Sequence, residues 1–414
     1  MFHTKSDDCI ARAVTVASIG VALWGCGRST DSVPNVIVRD SAGVTIVEYG
    51  ENLRAPACTV SQMPMVTIGG QESEEQQLYH VYGASRLTDG RTAVLDGGSQ
   101  QVRFYDQQGQ LLQQEGRSGK GPAEFQNAFY LFVLPGDTIW VGDYPPFQFL
   151  VFAPNGDWVR TVRPRPEFYL PDDFHVLSDG RMVLVDDGMR TVQRSSGFTE
   201  RSVTVVVHDR DGAVQDTIGR FPHGTWGRVK EDPHNSTYRI FEAFAQIDAA
   251  GTRLLIGHGS KPEIRVFDST RNFHLDRIIR WNPVIREVTS HDVDAERQRV
   301  AEQYRDLDPA ELRQQLATEF SKDRPVAMRF PVFSGLKVGR DGRYWVREYR
   351  RPDAPLEHRW LVFSPDGRLQ CTATIRSFAE LLEFGSDYFL AVDRDSLDVE
   401  RVVQYGIAPP VLMW

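Results

Sequence analysis

Long apolar runs are nearly missing from this chain of 414 residues. Only residues 13–24, AVTVASIGVALW, form one, and its twelve residues fall short of the about 20 that a membrane-crossing helix needs. A protein built of many membrane helices is therefore excluded. Cysteine is scarce, with four in all at positions 9, 26, 58 and 371. Such wide spacing suggests neither a metal cluster nor a dense disulfide framework. Basic charge is not in excess: 47 Lys and Arg face 56 Asp and Glu, for a net charge of −9. With no basic stripe, nucleic acid is not an expected partner. Compact catalytic signatures are absent too, including GxSxG, HExxH and close His or Cys pairs. That removes chemistries written in one short motif, but not sites assembled from single residues on separate elements.

What is present begins with an export signal. Lys5 and Arg12 precede the apolar run, which has the length of a secretory signal core. It ends in LWGC, where Leu23, Gly25 and Cys26 resemble the lipobox of bacterial lipoproteins, although Trp24 is bulky for its place. The resemblance implies cleavage after residue 25, lipid attachment at Cys26 and residence at the bacterial outer membrane, facing the periplasm or the surface. The membrane would be met through that lipid alone. Residues 26–57 are then expected to form a tether followed by a hairpin, VIVRDSAGVTIVEYG at 36–50.

From residue 58 to 414 a unit of about forty-five residues recurs. Copies start near 86, 133, 176, 246 and 337, as in RLTDGRTAVLDGGSQQVRFYDQQGQLLQQEG at 86–116. Each reads strand, tight turn, strand, loop, strand, tight turn, strand. Segments such as VRFYD and IRVFD alternate with the period of a strand, and DG, NG and PDG supply the positive φ of hairpin turns. A sixth copy, 381–406, lacks its outer strand, which MVTIGG at 65–70 would supply. This predicts an all-β protein, a six-bladed β-propeller closed by an N-terminal strand. The pattern resembles the six-bladed, NHL-like propeller lipoproteins of bacteria, most without assigned activity. GRSGKGPAEF at 116–125 resembles their G-R-x-G-x-G-P-x-E-F segment, with Ala123 where a second glycine is common. It is not a phosphate loop, because Gly121 and Pro122 follow the lysine and a strand comes next.

The long insertions all fall in connections that a propeller meander places on one face. They are 188–201, 221–240, 349–359 and a two-helix insertion at about 282–329 between the fourth and fifth units. Val293, Val300, Tyr304 and Leu307 would stripe its first helix. Asp308, Pro309 and Glu311 would cap the second, striped by Leu312, Leu316 and Phe320. Loops on a rigid scaffold commonly bind. Candidate ligand-binding residues are Trp226, Arg228, Lys230, His234, Tyr238 and Arg239, since aromatics beside cations suit sugar rings and anions. A ring at the ends of the second strands, Asp96, Asp143, Asp186, His258, Glu348 and Asp393, reads first as turn-bonding structure. Its alternative is a divalent-cation site at the channel mouth. Two functions follow. One is a non-enzymatic binding module for a small molecule, glycan or protein, needing no cofactor. The other is a metal-dependent hydrolase or lyase of lactonase-like or NHL-lyase-like kind, with catalytic residues unassigned. Export also permits a Cys58–Cys371 disulfide.

Overall fold

In the computed structural model, residues 36–51, 53–70, 76–166, 171–186 and 197–410 are described. The expected signal segment, Cys26 and most of the 188–201 loop lie outside them. Nearly all regular structure is β, in six separate sheets. Sheet 1 runs Val81–Arg86, Thr92–Asp96, Gln101–Tyr105 and Leu111–Glu115 in chain order. Sheet 2 repeats this with Ala128–Leu134, Thr138–Asp143, Gln148–Phe152 and Trp158–Val162. Sheet 5 does so with Phe333–Val338, Tyr344–Glu348, Glu357–Phe363 and Leu369–Arg376.

The other three sheets carry additions. Sheet 3 comprises Asp173–Val176, Met182–Asp186, Thr199–His208, Val214–Val229 and a fifth strand, Asp232–Tyr238. Sheet 4 comprises Ala245–Ala250, Arg253–His258, Glu263–Asp268 and His274–Asn282. Val44–Glu51 then pairs in parallel with His274–Asn282, and Val36–Ser41 pairs with Val44–Glu51. The N-terminal hairpin expected in the tether is thus part of sheet 4. In sheet 6, Glu380–Phe384, Tyr388–Arg394 and Glu400–Ala408 are completed by Val66–Ile68 and Thr59–Val60. Between these contacts Ala57 bridges Thr372 of sheet 5, and Cys58 is bonded to Cys371 with their Cα atoms 5.4 Å apart. One N-terminal strap therefore crosses the outer edges of sheets 4, 5 and 6.

The tight turns explain the hairpins locally. In Asp89-Gly90-Arg91 the carboxylate accepts the Arg91 N–H at 3.0 Å and pairs with the Arg91 guanidinium at 2.7 Å, while Gly90 takes φ +90°. Asp179-Gly180-Arg181 repeats the device, with Gly180 at φ +81°. Such a carboxylate stands in for a backbone acceptor, and glycine supplies the left-handed turn.

Packing joins the sheets in sequence. Leu95, Phe104, Phe125 and Phe152 form an apolar cluster shared by sheets 1 and 2. Equivalent clusters join 2 to 3, 3 to 4, 4 to 5 and 5 to 6. The last, with Ile68, Val94, Tyr105, Leu390 and Val402, joins sheet 6 back to sheet 1. Fully burying a large apolar side chain is worth about 1.5–3 kcal/mol, so these seams carry the stability of this β-propeller. GRSGKGPAEF spans the first seam. Gly116 lies at φ +90°, where a Cβ would sit 2.4 Å from the ring of buried Phe125. Ala123 itself sits at φ +58°, which is why glycine suits that position. Arg117 pairs with Glu124 at 2.6 Å, so a carboxylate offsets this cation.

Helices α1 (Ser290–Gln303) and α2 (Pro309–Glu319) lie between sheets 4 and 5 in the chain. Thr289 and Asp292 form a capping box on α1, and Asp308 accepts the Ala310 and Glu311 N–H groups at 2.7 and 3.0 Å on α2. Val300 is buried, but α2 buries no residue. The insertion is held through a satellite cluster of Ile240, Phe241, Ala327 and Phe330, against which Val293, Phe320 and Tyr349 pack. Three of the long connections therefore meet one another.

Candidate functional site: a charged central channel

The first strands of all six sheets border one cavity of about 690 Å³. Its wall is uneven. Sheets 1 and 2 contribute small and aromatic groups, among them Gly83, Ala84, Tyr82 and Tyr130. Sheets 3 to 6 contribute ionisable ones. Asp173 and His175 come from sheet 3, Asp248 from sheet 4, Lys337 from sheet 5 and Glu380 from sheet 6.

These charges are linked across sheets. His175 Nε2 lies 3.3 Å from Asp173 and its Nδ1 3.7 Å from Asp248, while Lys337 Nζ lies 3.8 Å from the same Asp248 oxygen. Asp248 also accepts the Val338 N–H at 2.6 Å. Burial disfavours charge on His175, but the two carboxylates outweigh it and raise its pKa. Burial likewise acts upward on Asp173, where His175 and Lys337 prevail and lower it. Glu380 is raised by burial and by Glu400 against Lys337. Tyr130 is pushed up to about 12 by burial and by Asp173 and Glu380. A network at the turn end ties the channel: Glu383 accepts from Ser85 Oγ, from the Arg86 N–H at 3.1 Å and from the Tyr388 hydroxyl at 2.6 Å.

The residues singled out from sequence lie elsewhere. The 221–240 segment is not a loop. The outer strand of sheet 3 simply continues through it, turns at residues 230–231 and returns as Asp232–Tyr238. Alternation across TWGRV and STY is compatible with that extension. Trp226 is half-buried under Arg201, whose guanidinium sits 4.0 Å from the ring centroid. Tyr238 packs edge-on to Phe244 at 4.7 Å and lies 6.1 Å from His223. Arg239 pairs with buried Glu242 at 2.7 Å. Arg228 reaches Ser236 at 3.5 Å, exposed Lys230 reaches Asp323 of the helical insertion at 3.1 Å, and His234 is exposed. Arg239 and His258 share a smaller cavity of about 330 Å³.

Most members of the ring at the second-strand ends bond within their own sheet or its adjoining connection, while Asp393 of sheet 6 reaches Arg376 of sheet 5. Asp96 accepts the Tyr79 N–H at 3.0 Å and Ser99 Oγ at 2.8 Å, and pairs with Arg103 at 2.8 Å. Asp143 accepts the Gln126 and Asn127 N–H groups at 2.9 and 2.7 Å and Gln148 Nε2 at 2.9 Å. Glu348 pairs with Arg359 at 2.7 Å, Asp393 with Arg376 at 2.8 Å, and His258 bonds Ser260 at 2.7 Å. Asp186 ends its strand opposite Thr204. Among the described residues no three His, Cys, Asp or Glu side chains converge on a position that would hold a metal ion.

No family model matches this chain, and no curated protein does. Solved structures do. A Bacteroides fragilis protein classed by name as exported shares 12% identity over 88% of this chain and 99% of its own, at TM-score 0.48. A member of the DUF4221 family from Bacteroides vulgatus shares 10% over 86% and 100%, at 0.49. A streptogramin B lyase shares 10% over 79% and 93%, at 0.37. No described helix is long and apolar enough to cross a membrane.

Proposed function

We propose that the chain is an exported, lipid-anchored, six-bladed β-propeller that acts as a binding module and takes a small polar ligand into its central channel. His223 and His358, from two of the long connections, border that channel. The observation that carries this reading is the cavity of about 690 Å³ with an ionisable wall. It falls within the about 300–1,000 Å³ of small-molecule sites, which suits a small molecule or a sugar unit better than a protein segment. Charged groups held apart in a confined space fix orientation, and an aromatic wall opposite them supplies contact area. Anchoring rests on LWGC alone.

The hydrolase or lyase alternative draws no comparable support, because Asp96, Asp143, Glu348 and Asp393 are each taken by nearby donors. The test is a thermal-shift screen of sugars, sugar acids and amino acids against the wild type and Ser334→Trp, which plugs the channel. Ligands that raise Tm in the wild type and not in the plugged variant support the reading. A screen in which every stabilising compound acts equally on both overturns it. For the anchor, Cys26→Ser is expected to move the protein from membranes to the soluble exported fraction.

A further inference from the structure

On sheet 5 and its connections most arginines are matched to carboxylates, among them Arg343 to Asp341, Arg359 to Glu348, Arg368 to Asp366 and Arg376 to Asp393. Arg347 breaks that habit. It stands on the second strand opposite Trp360, its guanidinium 5.9 Å from the indole centroid. Nη2 donates to the Ser334 carbonyl at 2.9 Å, and among the described residues Nε is buried with no acceptor. Trp360 is 2% exposed, and its Nε1–H has no acceptor either. Nδ1 of His358, two residues back on the same strand, is also buried and unpartnered. All three side chains border the channel.

Gly335 makes the arrangement sterically possible, since a Cβ there would lie 3.1 Å from Arg347 Nε. Burial is the sole influence lowering Arg347's pKa, so no carboxylate offsets its charge. His358 is held at about 4 by burial and by the positive charges of Arg347 and Arg350. A half-buried cation without a carboxylate and buried donors without acceptors are each costly, and native proteins rarely leave several side by side.

We propose that Arg347, Trp360 and His358 form an oxyanion subsite in the channel wall, which takes the carboxylate or phosphate group of a small ligand. Arg347 offers a fork of donors and net charge, Trp360 one fixed N–H, and His358 a ring nitrogen that becomes a second donor in the matching tautomer. The subsite rests on the channel being the binding site and names the chemistry at its sheet 5 wall. A ligand would then lie with its anionic group at Arg347 and its remaining polar groups toward Lys337, Asp248 and Glu380.

The test follows the indole N–H signals of the ¹⁵N-labelled protein, with that of Trp360 assigned by Trp360→Phe. Acetate or inorganic phosphate replaces chloride at constant ionic strength. A saturable shift of the Trp360 signal is expected, with at least tenfold weaker binding in Arg347→Met, and the two anions separate carboxylate from phosphate preference. Arg347→Lys, which keeps charge and loses the fork, is expected to fall between. The remaining indole signals report whether each variant is folded. If neither anion gives saturation in the wild type, as for a site filled by water alone, the subsite is refuted. Equal affinity in wild type and a folded Arg347 variant refutes it too. Neutral or cationic ligands that bind the channel while oxyanions do not would sink the subsite and leave the binding module standing.

Discussion

Two populations of charged side chains occupy this propeller, and they are held in different ways. Asp96 and Asp143, at the ends of second strands, are fully buried and take backbone N–H groups of the adjoining connection. Asp173, His175, Lys337 and Glu380, on first strands, border the cavity; His175 lies 3.3 Å from Asp173 of its own strand and 3.7 Å from Asp248 of sheet 4, and Lys337 of sheet 5 lies 3.8 Å from Asp248. Backbone donors cannot change partner without unfolding, whereas side chains facing a cavity can exchange one another for a ligand. The first population fixes the fold, and the second is the one the proposed ligand would meet.

Breaking the first population is expected to cost most. Asp96→Ala deprives Arg103, whose side chain is 8% exposed, of its carboxylate, and a loss of about 3–5 kcal/mol is expected in urea unfolding. A loss below about 1 kcal/mol would erase the distinction. Asp143→Asn keeps the shape but sets an amide donor against Gln148 Nε2, whose own oxygen is taken by Arg163 at 3.0 Å. About 1–3 kcal/mol is expected there. In the second population Lys337→Met should change stability by less than about 1 kcal/mol, because the side chain is 42% exposed at 3.8 Å from Asp248. It should instead alter which ligands shift Tm.

The smallest effect concerns pH. His175 has a raised pKa in the folded chain, so its contribution is complete below the unfolded value of about 6.5 and is lost as pH rises through the folded one. Asp173, Asp248 and Lys337 are the charges that face it. Tm should therefore decline more steeply above about pH 6.5 in the wild type than in His175→Gln, measured by differential scanning calorimetry. Equal slopes would place the stability change elsewhere.

Much of the architecture was legible in the sequence, because its signals are local. The Asp-Gly-Arg turns mark hairpins at 89–91, 179–181 and 341–343, and MVTIGG matches the strand that completes sheet 6. Capping residues mark α2. Two features had no local signal. The parallel pairing of Val44–Glu51 with His274–Asn282 joins segments more than two hundred residues apart. The continuation of Val214–Val229 past its sheet depends on Thr199–His208 running alongside it. The channel charges were overlooked for a different reason. In DFHV, QIDAA and ELLEF a polar residue alternating with apolar ones reads as solvent-facing, but on an innermost strand that side turns to the axis. The available clue was that ionisable residues cluster in the first strands of units three to six and are missing from YGAS and FYLFV.

The strap across sheets 4, 5 and 6 also sets an order of events. Among the described residues, Thr59–Val60 and Val66–Ile68 find their strand partner in Glu400–Ala408, more than three hundred residues further along the chain. A chain made from its N-terminus must therefore keep residues 59–68 waiting until residues 400–408 have been made, with unpaired strand edges exposed meanwhile. Products that end before residue 400 lack the partner strand, which is expected to leave them more open to proteolysis.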